Sequence, residues 1–83
     1  MTLKIISTTE IIFEGEVSLV SLPGSMGRFT VLNNHASLIS TLVAGTIGYR
    51  REAGGHEGVY DGTFEVKGGI ADIDNNVISV CIY

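Results

Sequence analysis

The sequence predicts an all-β domain, a flattened sandwich or barrel of about ten short strands. Apolar residues recur at every second position through most of the 83 residues, and β-branched and aromatic residues fill these runs, as is typical of half-buried strands. Glycine-rich and asparagine-rich turn signals separate the runs at short intervals. A chain of this length supports one domain, so we expect residues 1–83 to fold as a single β-sandwich.

The first half of the chain contains strands separated by clear turn signals. The predicted strands are Thr2–Ser7, Ile11–Glu14, Val17–Leu22, Arg28–Leu32 and Leu38–Leu42. Pro23 fixes its own φ, and Gly24 and Gly27 permit backbone shapes that other residues resist. The stretch from Pro23 to Gly27 is therefore predicted to be a shaped surface loop, with Met26 and Arg28 at its tip.

The segment from His35 to Val43 is ambiguous. Its apolar residues Leu38, Ile39 and Leu42 fit one side of a helix, whereas one face of the alternative strand alternates poorly. The residues alone leave helix and strand equally open.

The second half of the chain predicts a meander of hairpins. Its strands are Thr46–Arg51, Glu57–Tyr60, Thr63–Lys67, Ile70–Ile73 and Val77–Tyr83. The turn signals between them are Gly54–Gly55, Asp61–Gly62 and Asp74–Asn76. In the fourth of these strands Ile70 shares a face with Asp72, so its outer face is not simply polar. This pattern leaves an ordinary sandwich strand and an interface strand equally open.

Composition excludes several classes of partner. The net charge is −4 and the five cationic residues are scattered, which argues against nucleic acid. No apolar run approaches the roughly 20 residues of a membrane helix, so we expect any membrane association to come through a partner. The apolar fraction of 45% exceeds what a small core easily hides, which indicates that some of it is interface. The single cysteine, Cys81, is interpreted as a small hydrophobic residue.

The residues that could support catalysis are few. His56 lies among glycines without Cys or His at metal-ligand spacing, and His35 lacks a glycine-flanked nucleophile or an orienting aspartate nearby. The run Gly24–Gly27 lacks the Lys-Ser/Thr ending of a phosphate-binding loop. No catalytic residue, metal site or cofactor is therefore predicted.

Three ordered blocks resemble the epsilon subunit of F-type ATP synthases, called delta in mitochondria. The outer blocks are IIFEGEV at 11–17 and VKGGIADIDNNVISV at 66–80. The central block consists of Leu22, Pro23, Gly24, Gly27, Phe29, Leu32, His35, Ala36, Leu38 and Gly45. The resemblance implies the N-terminal β-sandwich of that subunit in a short form without the C-terminal helical hairpin, and it implies a strand within 35–43.

The resemblance also implies a function. It implies a non-catalytic rotor subunit of the central stalk, which couples the c-ring to the gamma subunit during proton-driven ATP synthesis. Such a subunit lies at the cytoplasmic face of the bacterial inner membrane, or the organelle equivalent, and reaches the membrane only through the c-ring. Two rival functions remain open, a free-standing β-sandwich that binds a small polar ligand and a hydrolase centred on His35.

The resemblance also implies two contact surfaces on this chain. The resemblance implies a c-ring contact at Gly24, Ser25, Met26, Gly27 and Arg28. It implies a gamma contact at Ser7, His35, Ser40, Lys67, Ile70 and Asp72. Relatives often carry an acidic residue where Arg28 stands, so the position of the ring contact is carried over and its charge pairing is not. Ile70 beside Asp72 supports a mixed polar and apolar interface independently.

Overall fold

The chain folds into β-strands without a helix among the residues that the structure describes. The structure is a computed structural model that describes residues 1–52 and 59–83. Its strands are β1 Thr2–Ile6, β2 Ile11–Glu16, β3 Leu19–Gly24, β4 Gly27–Leu32, β5 Leu38–Leu42, β6 Gly45–Arg50, β7 Gly62–Val66, β8 Gly69–Asp74 and β9 Val77–Ile82. The predicted all-β class is confirmed, and the strands number nine within the described ranges rather than about ten.

The strands form one curled sheet with the order β2-β1-β9-β8-β5-β3-β6-β7, and β4 pairs with the free edge of β3. We call β2-β1-β9-β8-β5 layer one and β4-β3-β6-β7 layer two. A single residue pair, Gly24 with Leu42, joins the layers where β3 meets β5. The first and last strands, β1 and β9, are parallel neighbours, whereas the other pairings are antiparallel.

Strand alternation places the core between the two layers. Layer one contributes Leu3, Ile5, Ala71, Ile73, Ile78 and Val80, and layer two contributes Val20, Leu22, Val31 and Ile47. Each of these side chains is at most 1% exposed. Because facing residues of paired strands share a side of the sheet, their neighbours along each strand point outward. The outward-facing residues of layer one therefore form a second surface, and the strand register determines which of them are neighbours.

An aromatic cluster fills the opening of the curled sheet between its terminal strands. The ring of Phe13 on β2 lies 4.7 Å from Tyr49 on β6 and 5.5 Å from Phe64 on β7, centroid to centroid. Tilted contacts at these distances are the geometry that aromatic pairs favour. The cluster closes the sandwich between the edge strands β2 and β7, although these strands do not pair.

The predicted strand Glu57–Tyr60 and the predicted turn Gly54–Gly55 fall largely outside the described residues. Val59 and Tyr60 are described and lie outside any strand. The predicted hairpin turn Asp61–Gly62 is wrong, because Gly62 begins β7 and the Asp61 N–H donates to the Tyr49 carbonyl at 2.8 Å. Asp61 therefore continues the alignment of β7 with β6 instead of reversing the chain.

The turn Asp74–Asn76 and the strand at 38–42 are as predicted. Asn75 and Asn76 have φ of 49° and 61°, the conformation of a two-residue type I′ turn, which asparagine adopts readily. Leu38–Leu42 is strand β5, in register with β8 along its whole length. The strand alternative implied by the resemblance is confirmed.

Within residues 1–52 and 59–83 there is also no helix of the length and hydropathy that crossing a membrane requires.

Candidate functional site

The outer face of layer one carries an uncharged band at one end of the sandwich. The register sets Ile11 opposite Ile6, Ile6 beside Cys81, and Cys81 opposite Ile70. We call these four side chains the apolar row. Ile11 and Ile70 are 61% and 49% exposed, Cys81 is exposed and Ile6 is half-buried. A contiguous apolar strip of this kind on a small domain indicates a protein interface.

The adjacent row of the same face is mixed. It runs through Glu14, Lys4, Ser79, Asp72 and Ile39. The Lys4 ammonium lies 3.9 Å from the Glu14 carboxylate, and Ile39 at the other end is 70% exposed. Asp72 therefore has two apolar neighbours on this face, Ile39 opposite it on β5 and Ile70 two positions earlier on β8.

A shallow groove of about 510 Å³ follows the β5–β8 junction. It is lined by Ser37, Leu38, Ile39, Asp72, Ile73 and Asp74. The Ser37 hydroxyl donates to the Asp74 carboxylate at 2.7 Å, which ties the start of β5 to the end of β8. The groove thus has apolar side chains on its β5 side and one carboxylate at each end of its β8 side, Asp72 near Ile39 and Asp74 near Ser37.

The residues predicted to contact gamma do not form one patch. Ile70 and Asp72 lie together on the outer face of layer one. Ser40 is opposite Ala71, which is fully buried, so Ser40 lies on the core side of β5. Lys67 is in the turn between β7 and β8, at the same end of the sandwich as the apolar row. Ile70 and Asp72 thus share the outer face, whereas Ser40 lies on the other side of the sheet.

Ser7 and His35 lie at opposite ends of the molecule. Ser7 follows β1, and its N–H donates to the Glu10 carbonyl at 2.9 Å, which closes the β1–β2 turn. His35 follows β4 and is exposed, with Nδ1 2.7 Å from the Ala36 carbonyl oxygen. That contact is with backbone, and it brings no nucleophile or carboxylate to the imidazole.

The predicted loop at Pro23–Gly27 is a tight hairpin. β3 continues through Gly24, Ser25 and Met26 make the turn, and β4 begins at Gly27. Pro23 and Gly24 are buried, contrary to the expected surface loop, because Pro23 packs over Gly45 and faces the β5–β6 turn. Gly27 has φ of 125°, a conformation open to glycine. Met26 at the tip is 99% exposed.

Contacts with β5 hold this hairpin tip. The Ser25 N–H donates to the Thr41 carbonyl at 3.0 Å, and the Ser25 and Thr41 hydroxyls are 2.6 Å apart. The Val43 N–H donates to the Pro23 carbonyl at 2.9 Å. The exposed Met26 is therefore presented by a braced turn.

Arg28 does not lie at the tip, contrary to the prediction. It is opposite Pro23 in β4, and its side chain crosses β3 toward β6. Nε donates to the Ser21 hydroxyl at 2.9 Å, and Nη2 donates to the Thr46 carbonyl. The guanidinium is thus engaged within the domain.

The position of Pro23 explains why Arg28 folds back. The β3–β6 ladder pairs Leu19 with Arg50 and Ser21 with Gly48, and the same register would next set Pro23 opposite Thr46. A proline has no N–H to donate to a neighbouring strand. The Thr46 carbonyl receives the Arg28 guanidinium at the point where the ladder ends.

Removing this side chain should therefore destabilise the domain. We expect Arg28→Ala to lower the free energy of unfolding by about 1–2 kcal/mol, because two hydrogen bonds are lost and Ser21 is buried. Urea unfolding followed by circular dichroism measures the change. Lys4→Ala is the control, since its exposed ion pair at 3.9 Å should contribute less than about 1 kcal/mol. Equal losses for the two variants would contradict the bracing role of Arg28.

The end of the sandwich opposite the β3–β4 hairpin is polar. The Asn34 N–H donates to the Asn76 side-chain oxygen at 2.8 Å, which links the β4–β5 loop to the β8–β9 turn. The Thr2 hydroxyl donates to Glu16 at 2.7 Å and lowers the pKa of that carboxyl, and the Met1 ammonium adds a weaker effect in the same direction. The exposed apolar row and the tip thus lie at the other end of the molecule.

The whole chain matches one family of β-sandwich domains. The family model described as ATP synthase, Delta/Epsilon chain, beta-sandwich domain matches residues 1–82. The chain belongs to this family. Among similar epsilon chains, that of Campylobacter lari is 40% identical over 80 residues and that of Bordetella petrii is 34% identical over 80 residues. The matches cover 96% of this chain and 58% and 53% of those proteins, so the epsilon-family chain spans somewhat more than half of their length.

Solved structures share the fold of this epsilon-family domain. A chain from the central stalk and c-ring of Tetrahymena thermophila mitochondrial ATP synthase superposes with a TM-score of 0.78, at 13% identity, over 98% of this chain and 61% of that one. A chain from Euglena gracilis mitochondrial ATP synthase (OSCP/F1/c-ring, rotational state 1) gives a TM-score of 0.81, at 22% identity, over 96% and 48%. At these identities the likeness establishes the fold.

Sequence reasoning missed part of the apolar row of this epsilon-family domain. Ile6, Ile11 and Cys81 come from strands far apart in the sequence, and their contact with Ile70 depends on the pairing of β1 with both β2 and β9. The available signal was an outward-facing isoleucine in each of the first two strands. Without the strand order, that signal could not be joined to Ile70.

Proposed function

We propose that this chain is a non-catalytic subunit of the ATP synthase central stalk, coupling the c-ring to the gamma subunit during proton-driven ATP synthesis. Family membership supports the subunit assignment, and the two similar solved chains come from ATP synthase structures that include the c-ring. The proposal places the chain at the cytoplasmic face of a bacterial inner membrane, bound to the membrane through the ring.

The outer face of layer one is the proposed gamma surface. The observation that carries this assignment is the apolar row, whose exposed isoleucines continue into the mixed row around Asp72. An apolar centre with a polar surround is the usual composition of a stable protein interface. Ile70 and Asp72 retain the role predicted for them, and Ile6, Ile11 and Cys81 are added to the proposed contact.

The hairpin end is the proposed ring surface. Ser25 and Met26 project from the sandwich beyond the last strand pair, between Gly24 and Gly27. Two separate surfaces are what a coupling element requires, because each partner must be held at the same time. Strand β5 connects the two surfaces, because it pairs with β8 and its Thr41 carbonyl accepts a hydrogen bond from the Ser25 N–H.

Co-purification tests this function. A tagged full-length protein expressed with gamma and the c-ring is expected to elute with both, since the proposed surfaces lie on different parts of the domain. Size-exclusion chromatography of the eluate at low ionic strength measures the assembly. Elution of the tagged protein alone would contradict the stalk assignment.

Each of the two rival functions predicts a different experimental result. A ligand-binding module should saturate with a small polar ligand as an isolated monomer, and a hydrolase should lose turnover on His35→Ala. The exposed His35, with its backbone contact at Ala36, offers no geometric support for the second rival. The stalk proposal predicts neither result.

A further inference from the structure

The outer face of layer two carries a groove, on the opposite side of the sandwich from the apolar row. Its volume is about 560 Å³, and its described lining consists of two leucines, three hydroxyl side chains and two arginines, Arg28 and Arg50. Two of the chain's five Lys and Arg residues thus line one groove, although the chain carries a net charge of −4. This size is typical of sites for small molecules, and the charge of the lining favours an anion.

The strand register places the two arginines on either side of one row of small residues. That row runs from Thr30 through Ser21 to Gly48, across β4, β3 and β6. The Arg28 Nε donates to the Ser21 hydroxyl at 2.9 Å, so the guanidinium of Arg28 reaches this row. Arg50 is the diagonal neighbour of Ser21 on β6, and diagonal neighbours have Cα atoms about 7–8 Å apart, within reach of a long side chain. A ligand bound at Ser21 can therefore contact both guanidinium groups.

Arg28 is held in position without a ligand. Besides the bond to Ser21, its Nη2 donates to the Thr46 carbonyl. A guanidinium has five N–H donors, so these two bonds leave three for other partners. A side chain that is already fixed loses little conformational entropy when it binds an oxyanion. Arg50 also interacts within the chain, and its guanidinium can keep a partner while it contacts a ligand.

Hydroxyl groups complete the polar part of the groove. The Ser21 hydroxyl accepts the Arg28 bond and still has a proton to donate to an oxyanion. Tyr60 packs on Gly48, where an added Cβ would lie 2.8 Å from the tyrosine ring. Because Gly48 is opposite Ser21, this packing holds the ring beside the buried hydroxyl. The groove therefore combines guanidinium and hydroxyl donors, which form strong charge-assisted hydrogen bonds with oxyanions.

An apolar wall adjoins the donors. Leu19 and Leu32 are opposite one another on β3 and β4, and Arg50 extends the same row on β6. Leu32 is 55% exposed. Inorganic phosphate would leave this wall in water, whereas an apolar ester group would cover it. The groove therefore fits a phosphate ester better than the bare ion.

We propose that the outer face of layer two binds a phosphate monoester with an apolar ester group, its phosphate held between Arg28 and Arg50 at the Ser21 hydroxyl. A dianionic phosphate matches two guanidinium groups, whereas a carboxylate supplies a single charge. Glu65 is on the same face, outside the described lining, and it accepts a hydrogen bond from the Thr46 hydroxyl. The site goes beyond the stalk function and requires neither of the two contact surfaces proposed above.

Titration of the full-length protein with phenyl phosphate, followed by NMR chemical shifts, tests the site. At slightly alkaline pH, where the monoester is a dianion, we expect a dissociation constant of about 1 mM. Inorganic phosphate should bind about fivefold more weakly, because it does not cover the leucine wall. Phenol, which has the ring but no phosphate, should not bind. Shifts should be largest at Ser21, Thr30 and Arg50.

Two matched variants test the role of charge. Arg50→Gln should weaken binding of phenyl phosphate about tenfold, because one of the two guanidinium groups is lost. Arg51→Gln removes the same charge one position later and should change the dissociation constant less than about twofold. Arg51 is its control because its guanidinium lies 5.9 Å over the ring of Tyr49, on the opposite face of β6 from Arg50. Circular dichroism verifies that both variants are folded.

A third variant tests the apolar wall without changing the charge. Leu32→Ala should remove most of the preference for phenyl phosphate over inorganic phosphate and leave the affinity for inorganic phosphate unchanged. Because Leu32 is exposed and outside the core, this variant remains informative if Arg50→Gln fails to fold.

Four results would overturn the site. These are no response to phenyl phosphate, a response to phenol of the same strength, equal weakening by Arg50→Gln and Arg51→Gln, and an unchanged preference for phenyl phosphate in Leu32→Ala. Sedimentation with vesicles of phosphatidylcholine and phosphatidic acid distinguishes a lipid phosphate from a dissolved one. Binding to these vesicles without a response to phenyl phosphate would assign the arginines to a lipid surface and overturn the small-molecule site. The stalk function is tested separately, by co-purification.

Discussion

Ile70→Asp is expected to weaken binding to gamma by about 100-fold. Ile70 lies at the junction of the apolar row and the mixed row, and an added carboxylate there would lose its hydration beside the like charge of Asp72 when gamma binds. Truncation of a central interface anchor commonly costs 2 kcal/mol or more, and an uncompensated buried charge adds to that loss. Titration of labelled gamma with the purified variant measures the dissociation constant.

A matched variant controls for general effects of the new charge. Leu32 is 55% exposed against 49% for Ile70, and it lies on layer two, away from the apolar row. Leu32→Asp should therefore bind gamma as the wild type does. Both variants should keep the wild-type thermal midpoint, because neither side chain belongs to the core. Equal affinity of the two variants for gamma would exclude the outer face of layer one as the binding surface.

Gly69→Ala is expected to lower the free energy of unfolding by at least about 3 kcal/mol. Gly69 begins β8 opposite Ile82, with φ of 157°. A Cβ at this position would lie far inside van der Waals contact with the Cys81 carbonyl oxygen and 3.1 Å from the Ile82 Cα. These are backbone atoms of the neighbouring strand, so they cannot move aside without breaking the ladder. For a domain of this size the thermal midpoint should fall by about 12 °C or more.

Gly27→Ala is the control for Gly69→Ala, because it adds backbone strain without a steric collision. Gly27 has φ of 125°, and a Cβ there would meet no atom within 4 Å. Its substitution should cost about 1–2 kcal/mol from conformation alone. Urea unfolding of the two variants under the same conditions gives the comparison. A loss for Gly69→Ala no greater than that for Gly27→Ala would refute the steric account of Gly69.

The fold class was predictable because it rests on local signals. Alternation identified the strands, and the consecutive asparagines at 75 and 76 identified the β8–β9 turn. The same alternation placed Ile70 and Asp72 on one face, which the register bears out. These features depend on neighbours one or two residues apart.

The sequence could not place side chains whose direction depends on distant strands. Arg28 folds back because β3 leaves β6 beside Pro23, and nothing near Arg28 in the sequence indicates where that separation occurs. Ser40 lies on the core side of β5 because it pairs with Ala71, which is 31 positions later in the chain. Long-range register therefore decides which predicted site residues share a surface.

The parallel pairing of β1 with β9 has a mechanical consequence. Their five residue pairs, from Thr2 with Val77 to Ile6 with Cys81, connect the two extremes of the chain in the same direction. Tension between the start of β1 and the end of β9 would act along the strands, so these pairs would be loaded in shear together and not peeled apart singly. The proposed coupling role would gain rigidity from this arrangement.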